Sequence, residues 1–99
     1  MSQITLVSAT GSDTTHLISD SLLMLNGITL SGQITGLAIH DVATTAGVAA
    51  SNKIYSITGD FMQTPFTESF EGVMFHSGMV IVLTFSETAH TGTANVEWE

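Results

Sequence analysis

Apolar residues alternate along this chain with a period of two, and no segment carries the 3.6-residue spacing of a convincing helix. Gly and Ser/Thr clusters break the alternation about every 8–12 residues, the spacing of an all-β sandwich or barrel. A first strand is expected over Gln3–Ser8, with Ile4 and Leu6 on one face, followed by a loop at Thr10–Asp13. Two short apolar segments, Leu22–Leu25 and Ile28–Leu30, flank Asn26-Gly27, which reads as a hairpin turn because both residues tolerate positive φ. Gln33–Val42 is a strand with Leu37 and Ile39 on one face, Ile34, Ala38 and His40 on the other, and a bulge suggested at Gly36.

Ala43–Asn52 is small and polar and reads as a flexible loop. Lys53–Thr58 is a strand with Ile54 facing away from Tyr55 and Ile57, and Gly59-Asp60 turns the chain. Phe61–Glu71 reads as irregular, with Pro65 favouring extended backbone at Thr64. Val73–His76 and Met79–Phe85 read as two strands around a tight turn at Ser77-Gly78. Met79, Ile81, Leu83 and Phe85 share one face of the second strand and Val80 and Val82 the other, so both faces should be covered. Glu87–Gly92 reads as a loop. Thr93–Glu99 alternates, with Ala94, Val96 and Trp98 inward, and its expected partner is the Met79–Phe85 strand. The pattern predicts one all-β domain over residues 1–99, an antiparallel β-sandwich or jelly roll. Ile81, Leu83, Phe85, Val96 and Trp98 are its expected core.

Charge then narrows the function. Lys53 is the single cation against nine acids, a formal net charge of -8. Little is available to neutralise phosphate, so binding to nucleic acid or acidic lipid is not expected. Only 10% of residues are charged while 43% are hydrophobic, which describes a folded domain rather than an acidic tail. The longest apolar run, Met79–Leu83, falls far short of the ~20 residues that span a bilayer, and the N-terminus lacks the pattern of a secretory signal. The chain has no cysteine, so thiolate metal sites and Cys nucleophiles are excluded.

Candidate chemistry is sparse. His16, His40, His76 and His90, with Asp41 or Glu87, could supply metal ligands, but no two histidines stand at a ligand spacing. Ordinary surface or part-buried histidines are the better reading, and no metal or other cofactor is expected. Glu68 and Glu71, with Asp60 nearby, could form a carboxylate pair, yet a small sandwich with one tryptophan offers little sugar cleft. No G-x-S-x-G elbow, phosphate loop or EF-hand pattern occurs. No catalytic residue is expected, and the chain reads as a non-enzyme. Phe61, Met62, Phe66 and Phe70 stand in a stretch read as loop. They are candidate interface residues, or else they cap the open end of the core.

The run Glu71-Gly72-Val73-Met74-Phe75-His76-Ser77-Gly78-Met79-Val80-Ile81-Val82, followed by Thr91-Gly92-Thr93-Ala94-Asn95-Val96-Glu97-Trp98-Glu99, resembles the ending of many small tailed-bacteriophage virion proteins. The match covers about a third of the chain and contains no catalytic residue. The resemblance implies a small β-sandwich or jelly-roll subunit displayed in many copies on a capsid or tail. The function expected from it is that of a capsid decoration (cement) protein on the outside of the shell. Its partners would be the major capsid protein or other virion proteins, and it would be made in the host cytoplasm and located in the virion. A tail, fibre or connector component is the nearest alternative, and a carbohydrate-binding module using Tyr55 and Trp98 is the rival from another class. The apolar strand and the Phe/Met-rich segment suggest self-association, with a trimer as the expected homo-oligomer.

Overall fold

A computed structural model describes residues 2–8, 14–61, 63–85 and 92–99. Its strands are β1 (Ser2–Ser8), β2 (Thr14–Ser19), β3 (Leu23–Gly32), β4 (Ile34–His40), β5 (Lys53–Thr58), β6 (Phe66–Phe75), β7 (Met79–Phe85) and β8 (Gly92–Trp98). They form two four-stranded antiparallel sheets, ordered β1-β8-β3-β6 and β2-β7-β4-β5. The buried faces of the two sheets together make one hydrophobic core, the arrangement of a β-sandwich.

The pairing is nested. First strand pairs with last, second with seventh, third with sixth and fourth with fifth. Two further pairings, β3 with β8 and β4 with β7, complete the sheets. This is a long antiparallel ribbon rolled over on itself, the topology of a jelly roll. One consequence is that β4 and β5 are the only consecutive described strands hydrogen-bonded to each other.

The hairpin turn expected at Asn26-Gly27 is corrected by this order. Asn26-Gly27 lies inside the continuous strand β3, and Gly27 does not take positive φ. Leu23 and Leu25 are odd-numbered, whereas Ile28 and Leu30 are even, yet all four are buried. A flat strand would turn one pair outward. Asn26 is instead an extra residue between the pairs Leu25–Trp98 and Gly27–Glu97, and this bulge restores the inward phase. Ser77-Gly78 does separate two strands, as expected. It links β6 in one sheet to β7 in the other, so these strands do not form a hairpin.

Bulges solve the same phase problem elsewhere. Thr35 is the extra residue between the pairs Ile34–Phe85 and Gly36–Thr84. It places Ile34 in the core with Leu37 and Ile39, rather than on the face of Ala38 and His40. In β6, the chain from Phe70 to Gly72 swells opposite Asn26, with Gly72 at φ 83°. Phe66, Glu68 and Phe70 before the swelling are part-buried, as is Val73 after it, and Phe75 is fully buried. The stretch read as irregular is thus mostly strand.

β8 pairs with β1 and β3, not with β7 as expected, and is an internal strand of its sheet. Ile81, Leu83, Phe85 and Val96 lie in the core, and Trp98 is half-buried against it. β7 is internal to the other sheet, and Val80 on its outer face is 0% exposed. On that outer face Val80 is therefore covered within the chain, while Val82 stays part-exposed. Val80 sits between Leu17 and His40 in a cross-strand row. The 41–52 segment bonds the His40 end of that row through Ala49 and Asn52, and Thr45–Gly47 lies near β2. Thr10–Asp13, Met62 and Glu87–Thr91 lie outside the described residues, as does His90.

Candidate interaction surface

The 41–52 segment, read from sequence as a flexible loop, has local structure of its own. Two short 3₁₀ turns, Thr45–Gly47 and Ala50–Asn52, shape it. The His40 ring stands among acceptors: its Nδ1 lies 3.0 Å from the Ala49 carbonyl and 2.8 Å from Asn52 Oδ1. A carbonyl only accepts, so Nδ1 carries the proton and donates. Asn52 Oδ1 also accepts the Ala49 N–H, and Asn52 Nδ2 donates to the Gly47 carbonyl. The nearly buried His40 thus holds this connection in place through Asn52.

Asp41 is equally occupied. Its carboxylate accepts the backbone N–H groups of His76, Ser77 and Gly78 at 3.0, 2.8 and 3.4 Å. Burial pushes its pKa up, but the N–H donors of Ser77, His76 and Gly78, with the charge of His76, outweigh that and hold it below the ordinary 3.8. His40 and Asp41 are therefore structural devices. Among the described residues no three His, Asp or Glu side chains converge as a metal site would require. Glu68 is half-buried near Tyr55, while Glu71 is exposed, so these carboxylates serve different environments. Burial, and then the Glu68 charge, raise the Tyr55 phenol pKa.

Aromatic residues close the side of the sandwich where the edge strands β5 and β6 meet. Tyr55 and Phe70 make an edge-to-face contact across the two sheets, centroids 5.2 Å apart at 88°. Phe61 lies 5.6 Å from Phe66. Phe61 is 4% exposed and belongs to the core. It offers no surface to a partner, which corrects the interface expectation at that position. Phe66 and Phe70 are half-buried against the same core. Tyr55 and Trp98, the candidate sugar platform, stand in different sheets and both pack on the core, so they do not form one stacking surface.

The outer faces of the two sheets differ. On the β1-β8-β3-β6 sheet a cross-strand row runs Thr5–Asn95–Thr29–Thr67. Asn95 Oδ1 accepts from Thr5 at 2.9 Å and from Gln3 Nε2 at 3.1 Å. This face is neutral and polar along that row. The other sheet carries the row Thr15–Val82–Ala38–Ser56 beside Leu17–Val80–His40. Leu17 and Ile54, in its two edge strands, are 45% and 48% exposed. Among the described residues, Leu22 and Met74 are the other large exposed apolar side chains.

Sequence reasoning missed Leu17 because Thr14–Ser19 was not recognised as a strand. Only His16 and Ile18 point inward there, too few to show a period. No helix among the described residues is long and apolar enough to cross a membrane. Comparison with models of known protein families and with curated proteins finds no match for this chain.

Proposed function

We infer that the chain is a non-enzymatic structural subunit of a bacteriophage virion, in particular a decoration (cement) protein bound to the outside of the capsid shell. The observation that carries this reading is the contrast between the two outer faces. One carries the row Thr5–Asn95–Thr29–Thr67 of neutral hydroxyl and amide side chains, with Glu97 beside it and Met74 exposed on its edge strand β6. The other presents part-exposed Val82 and Ala38 between edge strands bearing the exposed Leu17 and Ile54. An apolar face on a chain with one cation suits a protein partner and not a polyanion.

Three further features support it. Two of the groups that could have supplied chemistry, His40 and Asp41, are committed to backbone partners. The nested jelly roll is an architecture that recurs in viral capsid domains, an analogy of fold alone. Glu71–Val82 and Thr91–Glu99 carry the residue pattern of small phage virion proteins, although β6 and β7 lie in opposite sheets and do not form a hairpin.

The reading frames flanking the gene supply the test. A shell or portal protein beside it is the expected result. Cosedimentation of the purified chain with that shell, and not with tails, then separates decoration from a tail or connector role. A neighbourhood of metabolic genes, or specific binding on a glycan array, overturns the reading.

A further inference from the structure

The four edge strands of this sandwich are unequally defended against pairing. β5 carries the exposed Lys53 at its start. β6 follows Pro65, carries Glu68 and Glu71, and is swollen at Gly72, which takes φ 83°. Charges, proline and bulges are the devices that keep sheet edges from joining. β2 has no charged carboxylate or ammonium but is bulged between Leu17 and Ser19. β1, Ser2-Gln3-Ile4-Thr5-Leu6-Val7-Ser8, has none of these. It contains no acid, base, proline or glycine, and its register with β8 runs unbroken from Ser2–Trp98 to Ser8–Gly92. Among the described residues its other edge has no partner strand.

The geometry points to a second copy of this chain as the occupant of that edge, with β1 pairing antiparallel to β1 across a two-fold axis at Thr5. Of the four edges, β1 is the one where a second copy brings no charged side chain of its edge strand against its mate and meets an unbroken register. Two chains of net charge -8 repel, and β1 is the one unbulged edge free of charge. Full overlap of the seven residues sets Ser2 opposite Ser8, Gln3 opposite Val7, Ile4 opposite Leu6 and Thr5 opposite its own mate. Glu97, one strand inside, pairs with Gln3. It therefore lies at least three strand spacings, roughly 14 Å, from the second Glu97, beyond the screening length of about 8 Å at physiological salt.

A second observation favours the same contact. Thr5 ends the row Thr67–Thr29–Asn95–Thr5, whose members are all hydroxyl or amide side chains. Pairing Thr5 with Thr5 continues that row unbroken into the second chain, and Thr–Thr neighbours across strands are favourable. The interface is isologous, so it closes as a dimer instead of growing into a fibre. It differs from the three-fold association expected from sequence, and the two are separated by the mass in solution. The inference rests on the edge alone, so a failed virion reading leaves it intact.

Sedimentation equilibrium of the purified chain from micromolar to near-millimolar concentration tests it. A concentration-dependent dimer is expected. Thr5→Lys, which sets two ammonium groups face to face, should raise the dissociation constant roughly tenfold or more. Thr67→Lys, on the exposed face of the opposite edge strand, should leave it unchanged. A monomer at every concentration, a trimer, or a dimer indifferent to Thr5→Lys overturns the proposal. If Thr5→Lys does not fold, spin labels on Thr5→Cys and Gln3→Cys in the otherwise cysteine-free chain decide the matter. Labels at Thr5 should be closest, and those at Gln3 displaced by about four residue rises, roughly 14 Å, along the strands. Equal distances, or no dipolar coupling, overturn it.

Discussion

The Asp41 carboxylate accepts the Ser77 backbone N–H at 2.8 Å. Asp41 follows β4 in one sheet, and Ser77 lies in the short crossing from the other sheet into β7. A crossing of three residues cannot satisfy its own backbone by forming a ladder. One carboxylate supplies the acceptors for His76, Ser77 and Gly78 instead. Through it the end of β4 fixes where the chain changes sheets.

Replacing Asp41 should show this in stability. Asp41→Asn removes the charge and turns an N–H donor toward backbone donors. A loss of about 1–2 kcal/mol is expected, at the low end because His76 and Ser77 remain open to water. The pH dependence has a definite sign. The folded pKa is below the ordinary 3.8, so the contribution is fully present above that value and is lost as pH falls through the folded pKa. Urea unfolding of both proteins should show a gap at neutral pH that narrows below about pH 4. A gap that stays constant into acid would remove the carboxylate from this role.

Two glycines should respond in opposite ways. A Cβ on Gly78 would stand 2.5 Å from the Ser19 carbonyl oxygen and 2.9 Å from that of Val42, both rigid backbone. Gly78→Ala should therefore cost well over about 1 kcal/mol. A Cβ on Gly27 meets only the Glu68 carbonyl oxygen at 3.4 Å, and its φ is not positive. Gly27→Ala should be neutral or slightly stabilising by thermal melting. Had Asn26-Gly27 formed the hairpin turn suggested by its sequence, the same substitution would be costly.

That contrast marks what the chain discloses before it folds. Alternation identifies β4, β5, β7 and β8, because each of these buries or half-buries at least two residues in one phase. The all-β sandwich follows from them. Phase changes are ambiguous. Between Leu25 and Ile28 the odd and even positions exchange, and a turn or a bulge explains that equally well. Only the pairing of β3 along its length with β6 and β8 decides for the bulge. The partner of each strand is hidden for a related reason. In a nested ribbon most sequence neighbours sit in opposite sheets, so local turn signals mark crossings as readily as hairpins. The aromatic stretch was legible as important but not as strand, since Gly72 breaks its period.

The β5–β6 side gives a test of core against interface. Phe61 is buried, so Phe61→Ala should cost about 3–5 kcal/mol. Tyr55 and Phe70 meet edge to face. A double-mutant cycle on Tyr55→Leu and Phe70→Leu should return a coupling of about 0.5–1.5 kcal/mol. Chemical denaturation of the isolated chain measures both. If Phe61→Ala unfolds normally and fails only in assembly, Phe61 is an interface residue after all.

The C-terminal strand carries the most structure per residue. β8 is held on both sides, by β1 and by β3, and Ala94 and Val96 are fully buried. Deleting residues 93–99 leaves β1 without a partner and opens β3, so no soluble folded protein should be recovered. Trp98 lies at the strand's end, level with Ser2 and Leu25. It is half-buried, so Trp98→Ala should cost less than a central core truncation, about 2–3 kcal/mol. Against a margin of about 5–15 kcal/mol this lowers the thermal midpoint without abolishing the fold. Glu99 shows a finer distinction. Its side chain is exposed, but its N–H and carbonyl both bond Met24 at 2.8 Å. Glu99→Ala should be neutral, whereas removing Glu99 should cost about 1 kcal/mol. Equal behaviour of the substitution and the deletion in thermal melts would show that the Met24 pair contributes nothing.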